Sequence, residues 1–165
     1  MSEGPKRVPV PGSAREKLPA AQETGEAPAG EFSATFTVRR RKELPSLDEQ
    51  AMLLPAQRSY LSRDDHAKEY GADPADIKKV EEFARANGLT VMSSDAAERT
   101  VVVTGTAAAY AKALGVDLKM YQAGETRYRG REGEIMIPAE LDGIVTSVTG
   151  LDNRPAAKPR SSLQD

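Results

Sequence analysis

The amino-acid sequence predicts an α+β domain of the ferredoxin-like, split βαβ type: an antiparallel sheet with its helices on one face, a flexible N-terminal tail before it and a C-terminal linker after it. Three observations point there. The stretch from Asp73 to Val116 reads helix, strand, strand, helix. A segment of strict period-two alternation, Phe32-Ser33-Ala34-Thr35-Phe36-Thr37-Val38, precedes that stretch. A further strand, Val145 to Val148, follows it.

Within the central stretch each element carries its own start and stop. Asp73 caps free backbone N–H groups, Pro74 fits the first helical position, and Asp76 places negative charge where the helix dipole favours it. Ile77, Val80, Phe83 and Ala84 recur at three- and four-residue spacing, while Lys78, Lys79, Glu81, Glu82 and Arg85 mostly face water. Gly88-Leu89 supplies the left-handed glycine and apolar residue of a Schellman stop, and Leu89 to Met92 continues as a strand. Thr100 to Thr104 is the next strand. Thr106 caps a second helix whose Tyr110, Ala111 and Leu114 share a face, and Gly115-Val116 repeats the glycine-apolar ending.

The flanks read more simply. Residues 1–30 are rich in Pro, Ala, Gly and Glu and form a mobile tail, residues 31–152 form the domain, and residues 153–165 are a linker rich in Pro, Ala, Lys and Ser. Glu43 to Ala56 holds a short helical segment, and Leu61-Ser62-Arg63-Asp64-Asp65 opens a helix that ends near Gly71. Asp117 to Tyr121 is a strand, Gly124 a turn, and Thr126–Arg129 pairs with Glu134–Ile137 as a hairpin around Gly130-Arg131-Glu132-Gly133. Pro138 opens a helical turn.

Composition narrows the function. The 165 residues suit one domain of ordinary size, and 39% hydrophobic residues, 29% charged residues and a net charge of −2 describe a globular chain not built to coat nucleic acid. There is no cysteine, which removes disulfides and thiolate chemistry. No apolar run approaches the ~20 residues of a membrane span, and Met1 to Val10 lacks the apolar core of a signal peptide. His66 is the single histidine, so no His-pair metal site exists and no serine has a histidine base. The basic clusters Arg39–Lys42 and Arg127–Arg131 read as solvated strand ends or partners of acidic groups.

A layer with helices on one side leaves the other sheet face uncovered. Val101 and Val103 point one way and Val102 the other, and Met136 alternates likewise between Ile135 and Ile137. Val102 and Met136 are therefore expected on a docking surface for a larger partner, with Tyr121 and Tyr128 as further candidates whose facing depends on strand register. The alternative is that the N-terminal segments fold over this face.

The residues also carry a resemblance. Leu61-Ser62, Asp65-His66 and Tyr70-Gly71, then Ala86-Asn87-Gly88-Leu89, Val103-Thr104-Gly105-Thr106 and Ala113-Leu114-Gly115-Val116, occur in the order found in the activation prodomain of sedolisin, kumamolisin-like serine-carboxyl peptidases. Tyr128-Arg129, Ile137-Pro138-Ala139 and, most specific, Val148 to Pro155 continue the match, and Val8 to Arg15 is similar to the Pro-x-Pro-Gly-Ser segment near the start of bacterial members. His66 departs from it, standing where the family usually has Phe or Tyr.

The resemblance implies an inhibitory prodomain and folding assistant of a secreted zymogen. Such a domain covers its cognate catalytic domain and threads its C-terminal linker through the substrate cleft until acid-triggered cleavage. It implies that the catalytic Ser, Glu and Asp and a calcium site lie in the following domain, so this chain is expected to be non-catalytic and to need no cofactor. In the linker, Arg154-Pro155 and Lys158-Pro159 are poor bonds because proline removes a main-chain donor, and Arg160-Ser161 is the first unencumbered one. Asp64, Asp65, Glu81, Glu82 and Asp117 are the candidate acid sensors. A stand-alone inhibitor acting in trans shares this surface. A ferredoxin-like nucleic-acid module is the more distant rival, because Val102 and Thr104 do not provide its aromatic and basic strand residues.

Overall fold

The computed structural model describes residues 5–155. In chain order they form β1 (Arg7–Pro9), β2 (Gln22–Glu26), β3 (Glu31–Val38), α1 (Leu47–Ala51), α2 (Arg63–Tyr70), α3 (Pro74–Ala86), β4 (Thr90–Asp95), β5 (Thr100–Thr106), α4 (Ala107–Leu114), β6 (Lys119–Ala123), β7 (Thr126–Gly130), β8 (Met136–Pro138) and β9 (Val145–Thr149). The principal sheet is antiparallel with order β4-β5-β3-β9, the ferredoxin-like order that the sequence predicts.

Strand β3 is central because both of its edges are paired. Thr35 lies opposite Val102 on one side and Thr149 on the other, and Phe36 lies opposite Val101 and Val148. Its alternation then decides the faces: Ala34, Phe36 and Val38 are buried with Val101, Val103 and Val145 beneath the helices, and Ser33, Thr35 and Thr37 point away. From α3, Ile77, Val80, Phe83 and Ala84 complete this core, Phe83 meeting Phe36 edge-on with ring centroids 6.4 Å apart. From α4, Tyr110, Ala113 and Leu114 do the same, so Ala113 takes the place expected of Ala111.

The helix signals hold at atomic detail. Asp73 accepts from the Ala75 N–H at 2.9 Å, and Thr106 accepts from the Ala109 N–H at 3.2 Å. The α3 stop is a Schellman motif: Leu89 N–H donates to the Ala84 carbonyl at 3.0 Å and Gly88 N–H to the Arg85 carbonyl at 3.2 Å, with Gly88 at φ 80°. Asp76, buried in the first turn of α3, accepts from Arg39 Nε at 2.8 Å and holds the guanidinium pKa above its ordinary value.

Two expectations about the flanks are overturned. Residues 5–30 are not a loose tail. β1 pairs with β8, Val8 opposite Ile137, and β2 pairs with β6. Val10 between them is 1% exposed in the main core, its N–H donating to the Ile135 carbonyl at 2.8 Å. Proline hides such strands: Pro9 and Pro11 flank Val10, and an edge strand tolerates proline where its missing donor would face away from the partner. Residues 1–4 lie outside the described residues.

The second correction is the hairpin. β7 pairs with β6, not with residues 134–137, across Gly124-Glu125, and Gly124 supplies the positive φ of 62° that a two-residue turn needs at its first position. The β8 segment returns instead to the N-terminal segment, where Ser13 Oγ accepts from the Ile135 N–H at 2.9 Å and Arg131 donates to the Ser13 carbonyl at 2.7 Å.

Tyr110 carries a pH prediction. Its hydroxyl, fully buried, donates to the Phe32 carbonyl at 2.8 Å, and burial above all raises its pKa from the usual 10 to about 12. A phenol whose folded pKa is raised stabilises the fold fully below pH 10 and loses that contribution as pH rises toward about 12. Tyr110→Phe should cost about 1 kcal/mol at pH 8, from the lost hydrogen bond, and the deficit relative to the native chain should shrink in urea titrations run between pH 10 and 12. A deficit constant across that range contradicts this assignment.

Candidate functional site

The sheet face opposite the helices is built from three cross-strand rows. Thr149, Thr35, Val102 and Ser93 lie side by side across β9, β3, β5 and β4, followed by Ser147, Thr37, Thr100 and Asp95, with Ser33, Thr104 and Thr90 in the third row. Among these positions Val102 is the one apolar side chain and Asp95 the one charge. The face is thus a hydroxyl surface around a half-buried valine, not the apolar patch that Val102 alone suggested. A β bulge between Val91 and Ser93 leaves Met92 61% exposed on the edge strand beside it.

Such a face suits a protein partner. Threonine fits a pleated strand, its hydroxyl both donates and accepts, and covering the rows around Val102 desolvates no ion but Asp95. The N-terminal strands pair elsewhere, with β8 and β6, and do not supply the cover that the alternative reading required.

The four expected contact residues are not brought together. Val102 is on the open face. Met136 is in the separate β1–β8 pair, half-buried, its Cβ 3.4 Å from where a side chain on Gly115 would begin. Tyr121 and Tyr128 are opposite one another on β6 and β7, stacked at 5.5 Å between centroids and buried with Ala21. Burial above all raises the Tyr121 pKa. These tyrosines hold the three-stranded sheet β2-β6-β7 together, and both are buried within this chain.

The basic clusters also resolve. Arg39 pairs with Asp76, and Lys42 with Glu69 at 2.6 Å. In the second cluster Arg127 is exposed, but Arg131 is 4% exposed and burial above all lowers its pKa, as it does for Arg129. Arg129 is the residue whose contacts the sequence reading missed. It lies over the Phe32 ring at 3.6 Å, and its Nε and Nη2 donate to the Leu151 and Gly150 carbonyls at 2.8 and 3.0 Å. The signal for it was an arginine beside a tyrosine on a strand, but only the fold brings residue 129 against residue 150.

At the C-terminal exit, Asn153 N–H donates to the Arg129 carbonyl at 3.0 Å, and Arg154 Nη2 to the Glu16 carbonyl at 2.8 Å. Arg154, expected in a free linker, is therefore fastened. Lys158, Arg160 and Ser161 lie outside the described residues. Helix α1 and the stretch after it expose Leu47, Met52, Leu54 and Tyr60, and His66 is an exposed residue of α2 whose ring sits 5.0 Å from Tyr70.

The fold is thus a ferredoxin-like layer with one bare hydroxyl face and a fastened segment at residues 150–154. Comparison with known proteins gives the class. The family described as Pro-kumamolisin, activation domain, matches residues 23–154. Kumamolisin of Bacillus sp. (strain MN-32) is 33% identical over 163 residues, covering 96% of this chain and 30% of kumamolisin. Tripeptidyl-peptidase sed5 of Aspergillus fumigatus is 30% identical over 165 residues, covering 88% of this chain and 28% of that protein. The chain belongs to the pro-kumamolisin activation-domain family, the prodomain of sedolisin-family peptidases, and is not a catalytic domain. It spans less than a third of the length of these curated relatives.

Gly150 offers a local test of the exit. It sits at φ 92°, and a Cβ there would meet the Ser33 carbonyl at 2.7 Å and Ala34 Cα at 3.2 Å. Gly133, at φ 81°, has nothing within 4 Å. Gly133→Ala should cost about 1 kcal/mol, from conformation alone, and Gly150→Ala about 2–3 kcal/mol, because backbone must also move. Urea denaturation of the two variants measures the difference, and equal costs would mean that the exit turn yields freely.

Proposed function

We propose that this chain inhibits and helps to fold a sedolisin catalytic domain by laying its open sheet face on that domain, with the residues beyond Arg154 running into the substrate cleft. The catalytic domain is supplied in cis or, after cleavage, in trans. What supports this reading is the combination of family membership with an uncovered face of Ser, Thr and Val102. The zymogen acts outside the cell and cuts itself free in acid, at Arg160-Ser161. Calcium, where the peptidase uses it, is bound by the catalytic domain.

Acid release follows from linkage. A carboxylate whose ionised form is held by donors in the complex has a lower pKa there than in the free domain, so the complex is stabilised above the free value and weakens as pH falls through the bound one. With ordinary carboxylates near ~4, inhibition fades below pH ~5. The fold changes which carboxylates fit this role. Glu81 and Glu82 lie on α3, beyond the sheet, in pairs with Arg85 and Lys78, and Asp95 is the carboxylate of the open face.

Val102→Lys places an ammonium group at the centre of the docking face and should weaken inhibition of the cognate catalytic domain at neutral pH at least about tenfold, with the thermal midpoint unchanged. Inhibition by Val102→Lys equal to that of the native chain would show that docking uses another surface. Asp95→Asn should shift the pH at which inhibition is lost, and an unmoved profile would place the acid sensor in the peptidase. N-terminal sequencing of processed enzyme should begin at or shortly after Ser161, and a start upstream of Pro155 would mean that the linker is misplaced.

A further inference from the structure

The apolar core ends at Leu151, which is 2% exposed, yet the grip on the chain continues through half-buried Asp152, exposed Asn153 and half-buried Arg154. Arg129 holds this exit from three directions. Its guanidinium donates to the carbonyls of Gly150 and Leu151, and its backbone N–H donates to Asn153 Oδ1 at 2.5 Å while its carbonyl accepts from Asn153 N–H. The Phe32 ring under the guanidinium is itself stacked on Tyr110, centroids 4.7 Å apart, so the clamp is anchored in the main core. Beyond it, Arg154 N–H donates to Asp152 Oδ1 at 2.7 Å, and the Arg154 guanidinium reaches the Glu16 carbonyl and lies 5.5 Å from the Tyr128 ring. Three remote parts of the chain, namely β3, β7 and the N-terminal segment, converge on residues 150–154.

We propose that Arg129 is a positioning residue: by clamping residues 150–154 it fixes the point from which the chain leaves the domain, and thereby which downstream bond reaches the peptidase's reacting groups. This role rests on the prodomain reading above. The geometry sets its size. With the clamp closed the last held residue is Arg154, and with it open the last held residue is Leu151, where the core ends. Three released residues add up to about 10 Å of reach, against about 3.4 Å for a register slip of one residue. A closed clamp offers one register, and an open one offers several.

Arginine is required here by chemistry as well as charge. Its planar fork supplies parallel donors to two successive carbonyls while its face rests on the Phe32 ring, and a lysine ammonium cannot do both. Arg129→Lys should therefore behave like Arg129→Ala, although it keeps the charge.

The test has two arms. In this chain alone, hydrogen exchange should find the Asn153 amide protected, and at least tenfold faster in Arg129→Ala and Arg129→Lys. In the proenzyme that joins this chain to its catalytic domain, the native form should process to one new N-terminus and both variants to a ladder spread over several residues. Val80→Ala, a core truncation on α3 remote from the exit, serves as the control for lost stability and should keep the single N-terminus. A single unchanged terminus in the Arg129 variants, or a ladder in Val80→Ala, overturns the proposal. Unchanged Asn153 exchange in the variants also overturns it. Failure of the native chain to inhibit the catalytic domain overturns the prodomain reading, and this role with it, whatever the exchange arm shows.

Discussion

The pairing of β3 on both edges is the constraint on which the rest of the structure depends. A strand held by β5 on one side and β9 on the other cannot slip in register without moving Phe36 out of the core and Thr35 into it. That one alternation separates the molecule into a helix-covered side, where Phe36 meets Phe83 and Tyr110 hydrogen-bonds β3 and β5, and a bare side of hydroxyls. The carbonyl of Phe32 accepts from both Tyr110 and Thr104, so core and open face are tied through the same peptide group.

The smaller sheets solve a different problem. The β6–β7 hairpin and the β8 segment lie outside the principal sheet and could not be stable alone, since isolated two-stranded ribbons are marginal in water. The N-terminal segment supplies a third strand to one and a partner to the other, and buries Val10 and Ala21 in doing so. Polar fastening completes the join, with Arg131 reaching back to Ser13 and Arg154 to Glu16. The cost of burying arginine is partly offset because the Nη groups of each guanidinium find carbonyl acceptors, while the buried Nε of Arg131 and of Arg154 has no partner among the described residues.

The open face and the Arg129 clamp both depend on β3. Its outward residues form the centre of the face, and its Phe32 ring carries the Arg129 clamp on the exit turn. In the role proposed above, β3 would serve both, as the centre of the surface laid on the peptidase and as the support of the Arg129 clamp.

Sequence alone determined the principal sheet, α2, α3 and α4, because their signals are local. Caps at Ser62, Asp73 and Thr106, the glycine stops at Gly88 and Gly115, and the alternation of Phe32 to Val38 each act within a turn or a strand. The family was legible too, in the ordered motifs from Leu61 to Pro155. What only the tertiary structure decided was pairing between segments distant along the chain. Val10 is a lone apolar residue between prolines until Ile135 is opposite it, and Tyr121 and Tyr128 have no facing until β6 and β7 take their register. Val102 reads as part of an apolar patch until its neighbours prove to be Thr35 and Ser93, and Arg129 reads as a surface charge until Gly150 and Leu151 come within its reach. Periodicity records which side of a strand is buried, but not which strand lies beside it.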